Sequence, residues 1–501
     1  MSGQKSIKKN FVLNALLTIS GIVFPIITYP YVARTIGPIG LGKIDFACSN
    51  VSYFSLLAQL GIPTYGVKAC AQVRDNKQEL ARTVKELLVI NLIMTFISYL
   101  FLIPAIMLVP QMRDEKMLHF IAGSAFLFNA LGIDYLYRGL EQYKYITIRS
   151  IVFKFVAFFS MFLLVKAESD YVIYGGITIF AASASNLMNL IHSPKVISFR
   201  STGKLNLKRH IAPIMVFFAM TCATTIYLNM DKSMLGFMTT QTDVGFYGAS
   251  IKIKTILVAL VTSLGAVILP RASYYVENKQ FDEFLRISGK ALRFVFVVAT
   301  PLTLFFIIYS RESILFVAGD EFTEAIPGMA IMMPTLLFIG ITNILGIQVL
   351  VPIGKEKYVL YSEIAGAIAD LILNIILIPR YKATGAAIGT VVAEFVVLLV
   401  QVYLLAGIKD QIKVLSEFKT IQYKNIIVSL IIACPASLWV KFANISFMDD
   451  NLLVHYFVIL ALAGITFMGI YYALMMLQKD TMMLEITDTV LGKLKKRKAT
   501  T

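Results

Sequence analysis

Long apolar stretches separated by short polar gaps run along almost the whole chain. The first set is Phe11–Val32, Gly42–Leu60, Leu87–Val109, Met117–Tyr137, Ile146–Leu164, Tyr171–Ile191 and Ile211–Met230. The second is Val244–Leu269, Ala291–Tyr309, Ile326–Val351, Tyr358–Ile378, Gly385–Leu405, Asn425–Val440 and Leu452–Met476. At roughly 17–26 residues and about 1.5 Å of rise per residue, such stretches cross about 30 Å of hydrocarbon as helices. Lipid offers the backbone no hydrogen-bond partner, so each span must satisfy its own. The pattern predicts an all-α integral membrane protein of about fourteen transmembrane helices.

The gaps alternate in charge. Roughly thirty lysines and arginines fall in every second gap and only about ten in the others, which orients the chain because basic loops stay in the cytoplasm. The gap Lys195–Arg209 is strongly basic, whereas that from Arg311 to Glu324 carries Glu312, Asp320, Glu321 and Glu324. Lys5, Lys8 and Lys9 at one end match Lys493, Lys495, Lys496, Arg497 and Lys498 at the other. Both termini are expected in the cytoplasm. The first stretch is too long for the core of a secretory signal and no small-residue cleavage site follows, so it reads as a retained span.

Composition narrows the function classes. Apolar residues make up 57% of the chain and charged residues 15%, with a mean hydropathy of +0.74. A soluble protein would carry about 25% charge. The net charge of +16 sits in short loops flanking apolar spans, which suits anionic lipid headgroups and excludes nucleic acid as a partner. Cys48, Cys70, Cys222 and Cys434 lie in or beside apolar runs without a CxxC pair; they read as core residues, with no metal and no cofactor expected. No outward gap is long enough to fold a domain of its own. Any function lies among the helices, and transport across the bilayer fits best.

A weak internal repeat divides the chain. Asn76-Lys77-Gln78 recurs as Asn278-Lys279-Gln280, and Gly175-Gly176 corresponds to Gly385-Ala386-Ala387. The division expected is an N-terminal six-helix lobe (1–192), a basic cytoplasmic linker (193–210) and a second six-helix lobe (211–408). Two additional helices (409–478) and a basic tail (479–501) complete it. Paired halves suit alternating access around a central site.

Charge at bilayer depth marks candidate sites, because it normally faces protein or a wet cavity. Glu363, Asp370 and Asn374 recur at spacings that share one face of a helix. That face reads either as a cavity lining or as an interhelical seam. Lys154 lies deep in its span, Lys252 and Lys254 lie two turns into theirs, and Glu394 is near mid-membrane. Arg34, Asp45, Asp134, Asp231 and Lys232 lie closer to the interfaces. Pro25, Pro30, Pro104, Pro334 and Pro435 fall within spans and can bend them.

Four spaced motifs in order give a specific resemblance. They are Arg34-Thr-Ile-Gly37-Pro-Ile-Gly40, and Ile133-Asp134-Tyr135-Leu136-Tyr137-Arg138-Gly139-Leu140-Glu141 with Arg149 and Lys154 beyond. The third is Asn229-Met-Asp231-Lys-Ser-Met-Leu235-Gly236, continuing to Val244-Gly245-Phe-Tyr247 and Lys252; the fourth is Asn374 to Ile378-Pro379, leading to Gly385. Along nearly its whole length the chain resembles the Wzx-type polysaccharide repeat-unit flippases of the multidrug/oligosaccharidyl-lipid/polysaccharide exporter superfamily. Tyr135 stands where that pattern usually has tryptophan.

The resemblance implies a MATE-like bundle of two six-helix lobes plus two C-terminal helices. It also implies translocation of undecaprenyl-diphosphate-linked oligosaccharide units to the outer leaflet of the bacterial plasma membrane, by alternating access, for O-antigen or exopolysaccharide synthesis. No catalysis is required. The substrate-cavity candidates are Arg34, Asp134, Lys154, Lys252, Glu363, Asp370 and Asn374. Asp370 and Glu363 are ion-coupling candidates, with H+ or Na+ as the counter-ion. Gly37, Gly40, Glu141, Asp231, Gly236, Gly245, Pro379 and Gly385 are structural motif residues. Membrane lipids and a polysaccharide polymerase are the implied partners. A lipid II flippase, a cation-coupled drug antiporter and a membrane polymerase or ligase of lipid-linked sugars are the alternatives; the antiporter is disfavoured because span one lacks Asp and Glu.

Overall fold

Each predicted apolar stretch falls on helix, and no strand occurs among the described residues. The computed structural model describes residues 2–198, 205–408, 413–442 and 452–488. The chain opens with α1 (Ser2–Gln59), α2 (Ile62–Gln72), α3 (Lys77–Leu108), α4 (Pro110–Asp114), α5 (Lys116–Gly132) and α6 (Asp134–Gly139). There follow α7 (Tyr143–Leu164), α8 (Tyr171–Ser183), α9 (Leu187–His192), α10 (Lys208–Met238) and α11 (Gln241–Glu277). The rest comprises α12 (Phe281–Ile308), α13 (Ser310–Val317), α14 (Ala325–Met332), α15 (Thr335–Asn343), α16 (Glu356–Ala406), α17 (Tyr423–Phe442) and α18 (Leu452–Leu477). Among the described residues nine helices are long and apolar enough to span, or ten if the bent pair Lys208–Ala219 and Thr224–Met238 is one span. Large apolar side chains such as Leu163 (74%) and Ile465 (73%) point outward. Hydrocarbon tolerates that surface and water does not. The chain is a multi-pass membrane protein.

Local chemistry explains where helices stop. Asn76 caps α3, its side-chain oxygen accepting from the N–H groups of Gln78 and Glu79 at 3.1 Å each. Its sequence counterpart Asn278 does something else, donating back to the Tyr274 carbonyl at 2.8 Å. The repeat therefore does not extend to capping. The long α1 breaks at Gly37 (φ 65°), not at Pro25 or Pro30; only glycine takes that conformation without steric cost. Helix α16 breaks at Lys382, just after Pro379, between the two spans that it joins. Pro334 falls in the interruption between α14 and α15.

The chain forms two units, Met1–Gly248 and Ala249–Thr501, with the division inside α11. The linker read from the sequence is 193–210. Within the first unit α1 packs against α3, α5, α7 and α10. Fully buried Glu86 on α3 gathers the segment leading into α10: Asn206 N–H donates to it at 2.6 Å, and Arg209 and His210 contact its other oxygen. Nearer the opposite end of α10, Lys232 pairs with Asp45 of α1 at 2.9 Å. In the second unit α12, α15 and α16 share one core, and α17 and α18 pack on each other.

Candidate functional site

The first unit holds an open cavity of about 900 Å³ whose lining includes charged and amide side chains. Its walls come from α1, α2, α3, α5, α6, α7, α8, α10 and the turn before α9, with Asp134, Arg138, Arg149, Lys154, Asn129 and Asn186 among the lining residues. The volume is that of a sizeable ligand site.

A break in the chain builds the polar centre. The apolar run expected to continue to Tyr137 ends at Gly132, and Ile133 adopts φ 38° before α6 begins. A β-branched residue there is strained. The residue before the turn is a glycine because a Cβ on Gly132 would lie 2.4 Å from Cβ of Asn186. Asp134 consequently starts a short helix facing α7 and α9 rather than ending a long span.

Around it the charges are ordered. Asp134 accepts from Arg138 Nε through one oxygen and from Arg149 Nη2, at 3.2 Å, through the other. The same Nη2 lies 3.2 Å from Asn186 Oδ1, and Asn186 donates to Asn129 at 2.9 Å. Arg149 is only 9% exposed, yet its Nε and Nη1 have no hydrogen-bond partner. Buried donors without acceptors are costly, and the cost is offset in part by the Asp134 carboxylate beside Nη2. Lys154, further along the same helix, donates to Ser20 Oγ at 2.8 Å and lies beside Gly21 of α1.

The other candidates are dispersed. Arg34 is exposed on α1 just before the Gly37 break, donates to the Pro30 carbonyl at 2.9 Å, and is outside this cavity's lining. Lys252, Glu363, Asp370 and Asn374 belong to the second unit, where Lys252 and Glu363 are half-buried. Asp370 and Asn374 are buried against Gly389, whose added Cβ would lie 3.0 and 2.5 Å from their side-chain oxygens. Of the motif residues, Glu141 pairs with Arg74 at 3.5 Å and Asp231 accepts from Tyr247. Gly40, Gly236, Gly245 and Gly385 each lie where a Cβ would press on a neighbour, that of Gly245 only 2.0 Å from the Pro38 carbonyl oxygen. Arg149 was visible in the sequence as a motif member, and Asn186 as an amide inside an apolar run. Neither signal marked them as cavity residues.

Comparison with known proteins fits this arrangement. The sequence profile of the family described as "Polysaccharide biosynthesis protein" matches residues 7–276, more than half of the chain. The chain is 24% identical over 398 residues to the "Putative O-antigen transporter" of Escherichia coli (strain K12), covering 78% of this chain and 95% of that one. A relative of the same name from Shigella dysenteriae is 26% identical over 404 residues, covering 78% and 98%. Among solved structures, "Lipid II flippase MurJ, inward closed conformation" superposes with a TM-score of 0.67 at 16% identity, covering 92% of this chain and 99% of that one. Likeness at that identity concerns the fold alone.

Proposed function

We propose that this chain, which belongs to the polysaccharide biosynthesis protein family, is a flippase for lipid-linked oligosaccharides rather than an enzyme. In this reading the load is an oligosaccharide on undecaprenyl diphosphate, moved from the inner to the outer leaflet of a bacterial plasma membrane by alternating access. The termini stay in the cytoplasm, and the product passes outward to a polysaccharide polymerase. The names of the Escherichia and Shigella relatives support the class of substrate.

The observation that carries the proposal is a cavity of about 900 Å³ whose wall includes both the buried Arg149 and Lys154. Each sugar hydroxyl taken into hydrocarbon without a partner costs roughly 2–7 kcal/mol, and an ionised phosphate far more. Arg149 and Lys154 offset phosphate charge, while Asn129, Asn186 and Ser185 offer hydrogen bonds to hydroxyls. In the second unit, Asp370 with Glu363 is the proposed place for a counter-ion, H+ or Na+, and Lys252 a further cation for the load.

The test is reconstitution of the purified protein in vesicles holding a fluorescent undecaprenyl-diphosphate oligosaccharide. Sugar in the inner leaflet should become accessible to an impermeant glycosidase within the assay, and heat-denatured protein should give none. Vesicles that leave the sugar inside while driving drug-cation uptake would replace the flippase with an antiporter. Sugar polymer made by the purified protein would replace it with an enzyme.

A further inference from the structure

Helix α7 is a partition between two spaces. Tyr143, Ile146, Ser150 and Lys154 face the charged cavity, at spacings of one helical stripe. Tyr145, Ile148, Val152 and Phe153 line a separate, largely apolar groove of about 600 Å³, closed on its far side by Met188 of α9. Arg149 lines both spaces. Gln142 and Lys144 give the groove a polar end at the start of α7. Tyr145 donates to the Met188 carbonyl at 2.9 Å, and Phe153 packs on Phe180 of α8 with ring centroids 5.3 Å apart. These contacts hold α7 to α8 and α9 along the groove. Ile148 and Val152 remain 53% and 51% exposed, so the groove opens toward hydrocarbon.

A lipid with its head inside the protein and its chain in the bilayer must pass through the wall somewhere. We propose that it does so here: the groove between α7 and α9 seats the phosphate-proximal part of the polyprenyl chain, and Arg149 binds the phosphate at the shared wall. This rests on the flippase reading above and adds to it the path of the lipid. The chemistry matches at both ends. Arg149, which lines both spaces, brings a guanidinium charge to the phosphate oxygens, and the apolar stripe receives the isoprenoid units. From Lys144 to Phe153 the groove spans about 14 Å of helix, about half the hydrocarbon thickness. The seated segment therefore stays within one leaflet, and the remaining chain trails into lipid.

The test uses the full-length protein in nanodiscs with undecaprenyl diphosphate as the probe. A photoreactive phenylalanine analogue at Met188 should cross-link to radiolabelled undecaprenyl diphosphate, and excess phosphatidylglycerol should not compete. Filling the groove with Ile148→Trp or Val152→Trp should weaken undecaprenyl diphosphate binding about tenfold and leave inorganic pyrophosphate competition unchanged. Arg149→Ala should weaken both. No adduct at position 188, competition by phosphatidylglycerol, or full binding in both tryptophan variants overturns the groove. If the wild-type protein still moves sugar in vesicles under those outcomes, the flippase stands and only the lipid path is wrong. If wild-type protein moves none, the flippase reading itself has failed.

Discussion

Arg149 Nη2 lies 3.2 Å from Asp134 Oδ1, and the other oxygen of the same carboxylate holds Arg138. One carboxylate thus orients two guanidinium groups at the cavity wall. It neutralises part of their charge without using up the donors of Arg149. Arg149→Ala should abolish surface polysaccharide with protein level unchanged, measured by glycan staining of complemented deletion cells. Arg149→Lys should retain part of the export, because an ammonium keeps the charge but not the fork of donors. Asp134→Asn keeps an oxygen that can accept from Arg149 Nη2, so Asp134→Ala should lower the melting temperature more than Asp134→Asn. Wild-type export by Arg149→Ala would remove the anion role.

Lys154 tests the same idea from another position. Its ammonium is held by Ser20 at 2.8 Å, on the first helix rather than on the arginine cluster. Lys154→Ala should eliminate export, and Ser20→Ala should reduce it less, because the charge stays while its tether goes. Lys252→Ala, in the second unit, should match Lys154→Ala in the same cells. Normal polymer from both lysine variants argues against a cationic path.

Steric closeness makes a prediction about stability. A Cβ at Gly245 would lie 2.0 Å from a backbone oxygen, whereas at Gly176 it would meet nothing within 4 Å. Backbone yields less readily than a side chain, and overpacking typically costs about 1–3 kcal/mol. Gly245→Ala should therefore melt below wild type in detergent, and Gly176→Ala should match wild type. Equal melting of the two would contradict the packing of Gly245 on Pro38.

The spans were legible in the sequence because lipid enforces long apolar runs, and the breaks near Gly37 and Lys382 fell in gaps already visible between runs. The cavity was legible only in part. Lys154 stood out by its depth, and Asp134 by its motif, but the Ile133 break is hidden inside an unbroken apolar run. Arg149 is close enough to the start of its span to read as an ordinary loop charge. Its partners lie 15 and 37 residues away, a juxtaposition that only tertiary packing creates. The stripe of Glu363, Asp370 and Asn374 was legible as a face, yet spacing alone left open what it packs against. Asp370 and Asn374 prove to lie against Gly389 of the same long helix.

If the proposed alternating access parts α1 from α10, the contact between Asp45 and Lys232 should open and close during transport. Their charged atoms are 2.9 Å apart, within reach of a short cleavable bis-thiol reagent on cysteines placed at both positions. Cys48, Cys70, Cys222 and Cys434 would first be replaced by alanine. Cross-linking should stop sugar translocation in vesicles, and reduction should restore it. Unimpeded transport by the cross-linked protein would show that this contact need not part.

Asp370 offers the sharpest test of ion coupling, because Asp370→Asn keeps the shape of the side chain and removes its titration. If Asp370 carries the coupling proton, wild-type translocation should respond to an imposed pH gradient and Asp370→Asn should respond little or not at all. Gly389→Ala provides a control that leaves the carboxyl group in place. Its Cβ would lie 2.5 Å from Asn374 Oδ1 and 3.0 Å from Asp370 Oδ1, forcing both oxygens to move. It should therefore weaken the pH response while leaving every titratable group in place. A sodium gradient run in parallel separates the two counter-ions, since a sodium-coupled carrier responds to that gradient at constant pH. If Asp370→Asn translocates with the wild-type pH and sodium responses, coupling does not pass through this residue.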